Sequence, residues 1–97
     1  MRYRIELSRT RKGFARVNLP GRVIALEASR QAGPVWHVTL TDLSREGSGS
    51  VSVHASDAND AVWRVARATV RAVSELSASP LEGELETEPE KLLSNFR

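Results

Sequence analysis

The chain contains no cysteine, one methionine, and only five aromatic residues among its 97. The absence of cysteine excludes disulfides and thiolate metal sites. The scarcity of aromatics argues against a base-stacking surface of the usual RNA-binding kind. No apolar run exceeds a few residues, so no segment is long enough to span a bilayer as a helix. Met1-Arg2-Tyr3-Arg4 leads into no apolar stretch that would serve as a secretory signal. These absences set the expectation of a soluble, cytoplasmic chain. What is present suffices for one core: hydrophobic residues make up 40% of the sequence. The length allows one small domain and little more.

The net charge of +2 conceals an asymmetry. Residues 1–48 hold nine Lys/Arg against four Asp/Glu, and residues 49–79 hold three of each. Residues 80–97 hold five Glu against Lys91 and Arg97. A basic half is thus joined to an acidic tail. A basic half of this kind meets nucleic acid, an acidic protein or the chain's own tail, or it is ordinary solubilising charge.

Tyr3, Ile5 and Leu7 alternate with Arg2, Arg4 and Glu6, the period of a half-buried strand. Arg9 to Gly13 reads as a hairpin loop. Ala15, Val17 and Leu19 continue the alternation in a second strand, which Pro20-Gly21 is expected to bend or bulge before Val23–Ala28 resumes it. Trp36, Val38 and Leu40 mark the next strand. Ser44 to Ser50 reads as a flexible loop, followed by a short strand at Val51 and Val53. Ser56 is the expected N-cap of a helix from Asp57 to about Leu76, ended by Pro80. Its sheet-facing stripe is predicted as Ala58, Val62, Val65, Thr69, Val73 and Leu76. The fold expected is therefore α+β: an antiparallel sheet of about four strands packed on one amphipathic helix, ββββα. Residues 1–79 form the domain. Residues 80–97 form an acidic tail whose apolar end docks on the domain or on a sister chain. One helix covers one sheet face, so the other face is polar or is covered by the tail or by another subunit.

Signatures of catalysis are missing. His37 and His54 sit at polar strand positions with no third ligand nearby, and solvated strand residues are the simpler account of them. Gly47 and Gly49 lack the Lys-Ser/Thr that ends a phosphate loop. Glu82, Glu84, Glu86, Glu88 and Glu90 recur at every second residue, as in an acidic linker rather than a catalytic pair. The sequence implies no enzyme activity, cofactor, metal or small-molecule substrate.

Three groups of residues carry binding potential. Arg9, Arg11 and Lys12 share a hairpin tip with Arg16 close by, a pattern that suits phosphate contacts from a β-ribbon. The same charges also protect a strand edge from aggregation. Arg64, Arg67 and Arg71 lie on one helix stripe with Asp57, Asp60 and Glu75, and read either as a self-paired solvated face or as a row for an acidic partner. Trp63 and Val70 lie beside the apolar stripe, where Leu92, Leu93 and Phe96 of the tail or a second copy would cover them. The function expected is a small protein-binding module of inhibitor, adaptor or phage/mobile-element regulator type, with self-association compatible with the same surfaces. Nucleic-acid binding through the basic ribbon is the alternative.

Overall fold

A computed structural model describes residues 2–76 and 82–83. The α+β expectation holds. Five strands form an antiparallel meander: β1 (Arg2–Leu7), β2 (Phe14–Leu19), β3 (Arg22–Ala32), β4 (Val35–Asp42) and β5 (Ser48–His54). The helix α1 (Ala58–Leu76) follows, and then a two-residue strand, β6 (Glu82–Gly83). The sheet order is β5-β4-β3-β2-β1-β6, with β6 parallel to β1. No helix among the described residues is long and apolar enough to cross a membrane.

The strand count exceeds the expected four because Pro20-Gly21 closes a hairpin rather than bending one strand. Leu19 pairs directly with Arg22, leaving a two-residue loop. Gly21 has φ +73. A proline with fixed φ followed by a residue at positive φ is the combination a type II turn requires. Ser48 to Ser50, expected as loop, belong to β5 and pair with β4 through Thr41, Leu40 and Thr39.

The alternation read from the sequence sorts the sheet into two faces. Ile5, Leu7, Ala15, Val17, Leu26 and Val38 point to one side and are buried beneath the helix. Val62, Ala66 and Val70 of α1 close that core from above. Trp36, expected in the core, packs against it but stays half-buried, and its indole Nε1 is buried with no hydrogen-bond partner. The opposite face carries Arg4, Glu6, Arg16 and Asn18, with the Asn18 side-chain amide donating to Glu6 Oε1 at 2.6 Å. That face is polar, one of the three arrangements expected.

The helix is rotated slightly from the predicted stripe. Ala61, Val62, Trp63, Val65, Ala66 and Val70 are buried, whereas Leu76 is 89% exposed. Leu76, in the last helical turn, is outside the hydrophobic cluster, whereas Val73 three residues earlier packs against it. Asp57, rather than Ser56, caps the helix: its Oδ1 accepts the Asp60 N–H at 2.7 Å. The β1–β2 hairpin is tied to the same end of α1. Gly13 N–H donates to Asn59 Oδ1 at 2.9 Å, and the Gly13 carbonyl accepts from the Ala28 N–H at 2.8 Å.

Candidate binding surface

Arg64, Arg67 and Arg71 stand at i, i+3 and i+7 on the solvent side of α1, so they form one row along the helix. All three are exposed. With Asp60, Trp63 and Ala68 they line a groove of about 360 Å³. Three arginines against one aspartate leave the groove positive. Each arginine is held differently. Arg64 Nε donates to Asp60 Oδ2 at 3.0 Å. The Arg67 guanidinium lies 5.8 Å from the centre of the Trp63 ring, within the range of a cation–π contact. Arg71 has no hydrogen-bond or ion-pair partner among the described residues.

Asp60 is occupied within the fold and is a poor competitor for Arg67 and Arg71. Its Oδ2 also accepts from the Ser56 N–H at 3.0 Å and the Ser56 hydroxyl at 3.2 Å. Partial burial disfavours its charged form, but the Ser56 N–H and the Arg64 guanidinium together outweigh that and hold Asp60 below the usual carboxylate range. Asp42 is held low as well, first by the Ser44 N–H donating to Oδ1 at 2.9 Å and then by Arg22, whose Nε donates to Oδ2 at 3.0 Å.

Because both carboxyls are held below the ordinary aspartate value in the folded chain, their stabilisation is fully present above that ordinary value. It is lost as pH falls through the depressed folded values. Melting temperature is therefore expected to fall on acidification below about pH 4, near the reference carboxylate values. An Asp42→Asn, Asp60→Asn double variant should melt lower at neutral pH and show a flatter acid limb. An acid limb as steep as that of the parent chain would assign acid sensitivity elsewhere.

The other predicted residues fall elsewhere. Arg9, Arg11 and Lys12 are exposed at the hairpin tip, where the Arg11 guanidinium stacks 3.9 Å from the centre of the Phe14 ring. The tip is ordered from within: Ser8 Oγ accepts the N–H groups of Thr10 at 3.3 Å and Arg11 at 3.0 Å. Arg16 lies half-buried on the far face of the sheet, opposite Glu6. The β1–β2 hairpin is not a free ribbon, because β2 is hydrogen-bonded to β1 on one side and β3 on the other. Arg2, Arg4 and Arg16 alternate with inward-pointing Tyr3, Ile5, Ala15 and Val17, so they point away from α1 and its arginine row.

Trp63 is 6% and Val70 7% exposed, so both belong to the core margin and offer a partner little area. Leu92, Leu93 and Phe96 lie outside the described residues. His37 and His54 are paired to Ser52 and Val35, and no group of three metal-ligating side chains occurs among the described residues.

Two features have no counterpart in the sequence expectations. A second groove of about 410 Å³ lies at the β4–β5 end of the helix-side face, with Ile24, Leu40, Asp42 and Gly49 among its walls. The β5 strand itself has no strand neighbour on its outer side among the described residues. The alternation of Ser48, Ser50 and Ser52 with Gly49, Val51 and Val53 is the signal that could have marked it. No family model, curated protein or solved structure matches this chain.

Proposed function

We propose that the chain is a non-enzymatic binding module that receives an acidic protein segment along the arginine row of α1. The observation that carries this reading is the convergence of Arg64, Arg67 and Arg71 on one groove beside Trp63, with a single carboxylate already engaged. The row spans about 10 Å from Arg64 to Arg71 at 1.5 Å per residue. About three to four residues of extended peptide cover that length. Guanidinium groups take carboxylates in two-pronged hydrogen bonds, which favours arginine over lysine for this task.

A protein segment suits the surface better than a nucleic acid. A duplex presents phosphates over a long path and is held by many cationic contacts. The arginines of the sheet do not extend the row: Arg2, Arg4 and Arg16 point to the opposite side of a two-layer fold, Arg22 is paired with Asp42, and Arg30 lies over the Trp36 ring. The positive surface is therefore local.

Isothermal titration with an oligo-glutamate peptide tests the proposal, with single-stranded and duplex DNA in parallel. Binding to the peptide should weaken at least tenfold in an Arg67→Ser, Arg71→Ser double variant, equivalent to about 1.4 kcal/mol. An Arg9→Ser, Arg11→Ser double variant should bind as the parent does. Peptide binding that ignores Arg67 and Arg71, or tight nucleic-acid binding lost with Arg9, Arg11 and Lys12, would favour the ribbon instead.

A further inference from the structure

The two edges of the sheet are unlike. At one edge, β6 pairs with β1 through Arg2↔Glu82 and Tyr3↔Gly83. At the other, β5, the run Ser48-Gly49-Ser50-Val51-Ser52-Val53-His54, has no strand on its outer side among the described residues. Natural edge strands are usually blunted by lysine, proline, a bulge or extreme shortness. This one has none of these: it is seven residues long, carries no Lys, Arg, Asp, Glu or Pro, and keeps an unbroken register with β4.

The direction of its backbone groups follows from two hydrogen bonds. Ala55 N–H donates to the Pro34 carbonyl at 3.0 Å, and the Gly47 carbonyl accepts from the Asp42 N–H at 3.0 Å. Odd-numbered residues of this strand therefore direct their N–H and C=O groups to β4. By alternation, those of Ser48, Ser50, Ser52 and His54 point outward. The side chains of Val51 and Val53 lie on the helix side, as a side chain at Gly49 would, and there Val51 pairs with Val38 and Val53 with Trp36. Val51 is 39% exposed there.

We infer that β5 pairs antiparallel with β5 of a second copy of this chain, about a two-fold axis at Val51, so that the two sheets become one. The strand is self-complementary in that register. Val51 faces Val51 of the partner subunit, Ser50 faces Ser52, Ser48 faces His54 and Gly49 faces Val53. All seven residues are matched, so every outward N–H and C=O group of Ser48, Ser50, Ser52 and His54 finds a mate. No pair sets two formal charges of like sign together. Gly49 has open space where a Cβ would stand. It leaves room for Val53 of the partner subunit beside Leu40, at the mouth of the second groove. A two-fold axis perpendicular to the sheet keeps both helices on one side, so the valines of both copies join one apolar strip. This inference is independent of the arginine row.

The chain has no cysteine, so single-cysteine variants report the register directly. Opposed residues at a non-hydrogen-bonded antiparallel position have Cα atoms about 4.5 Å apart, within disulfide reach. Val51→Cys should therefore cross-link to itself under mild oxidation. Val53→Cys should not, because its two copies would stand four residues apart, about 13 Å. Light scattering on the full chain should give twice the 10.7 kDa of one chain. Ser50→Pro removes an outward N–H without touching the bond to β4, and should yield a monomer with the parent's circular dichroism. Should Ser50→Pro fail to fold, Val51→Lys at its exposed site provides the second variant, since it sets two ammonium groups face to face at the axis. A parent chain that stays monomeric up to millimolar concentration would overturn the inference. So would a dimer that survives both variants, or cross-linking through Val53→Cys in place of Val51→Cys.

Discussion

Leu26→Ala should lower the unfolding free energy by about 2–5 kcal/mol, the cost of emptying a well-packed core position. Leu26 is 1% exposed and lies in the middle of the sheet, paired on one side to Ala15 and on the other to Leu40. Its neighbours are held by the strand ladders and cannot move in to fill the space. A domain of this size has a total stability of about 5–15 kcal/mol, so the variant should be partly unfolded under mild denaturant. The matched control is Leu76→Ala. The same change of side chain at 89% exposure should alter stability by no more than about 0.5 kcal/mol. Urea unfolding of the two variants separates these outcomes. Equal losses at both positions would mean that Leu76 is covered and the helix face is misassigned.

Gly13→Val should be comparably damaging, for a backbone reason. Gly13 has φ +80, where a side chain costs about 1–3 kcal/mol and a β-branched residue suffers most. Space is lacking as well. A Cβ at this position would lie 2.9 Å from Ala58 Cβ and 3.3 Å from the Ala28 carbonyl oxygen. Moving the chain to relieve the clash would break the bonds from Gly13 to Asn59 and Ala28, which join the hairpin, β3 and the start of α1. A loss of about 2–5 kcal/mol is expected when strain and overpacking are combined. Gly21→Val is the informative comparison. Gly21 has φ +73 with nothing within 4 Å, so only the conformational part of the cost applies. If the two variants unfold alike, the close approach at Gly13 has no energetic weight.

Much of the fold was legible because alternation and helical periodicity report burial directly. The inward set Tyr3, Ile5, Leu7, Ala15, Val17 and Leu19 was readable residue by residue, as was the span of the helix. Pro20-Gly21 was not, because the same dipeptide suits a bent strand or a hairpin turn, and the choice rests on which strand β3 can pair with. The start of β5 was hidden for a similar reason. Gly47 to Ser50 has no local preference for extended structure, and its order comes from pairing with Thr39, Leu40 and Thr41. The buried face of the helix differs from the periodicity's stripe by a fraction of a turn because Trp63, Ala66 and Val70 pack on the sheet, while Leu76, apolar by type, stays exposed. For the candidate site, the row Arg64, Arg67, Arg71 was visible from helical spacing alone. The engagement of Asp60 by Ser56 is a local contact four residues apart, and every residue that lines the groove lies on α1; only the burial of Trp63 against the sheet depends on tertiary placement. The basic tip was visible too, whereas the confinement of β2 between two neighbours, which removes the free ribbon, is a property of the whole sheet.

The central claim, that an acidic protein segment docks on the outer side of α1, is tested most directly by amide chemical-shift mapping. Isotope-labelled full-length chain would be titrated with an oligo-glutamate peptide at low salt, where exposed charge pairs are least screened. The largest shifts should fall on Asp60 to Arg71, with the Trp63 indole N–H and the Arg67 and Arg71 side chains moving together. Raised salt should reverse them. Shifts confined to Arg9–Lys12 or to the Arg4 and Arg16 face, or a spectrum that does not change, would contradict the claim.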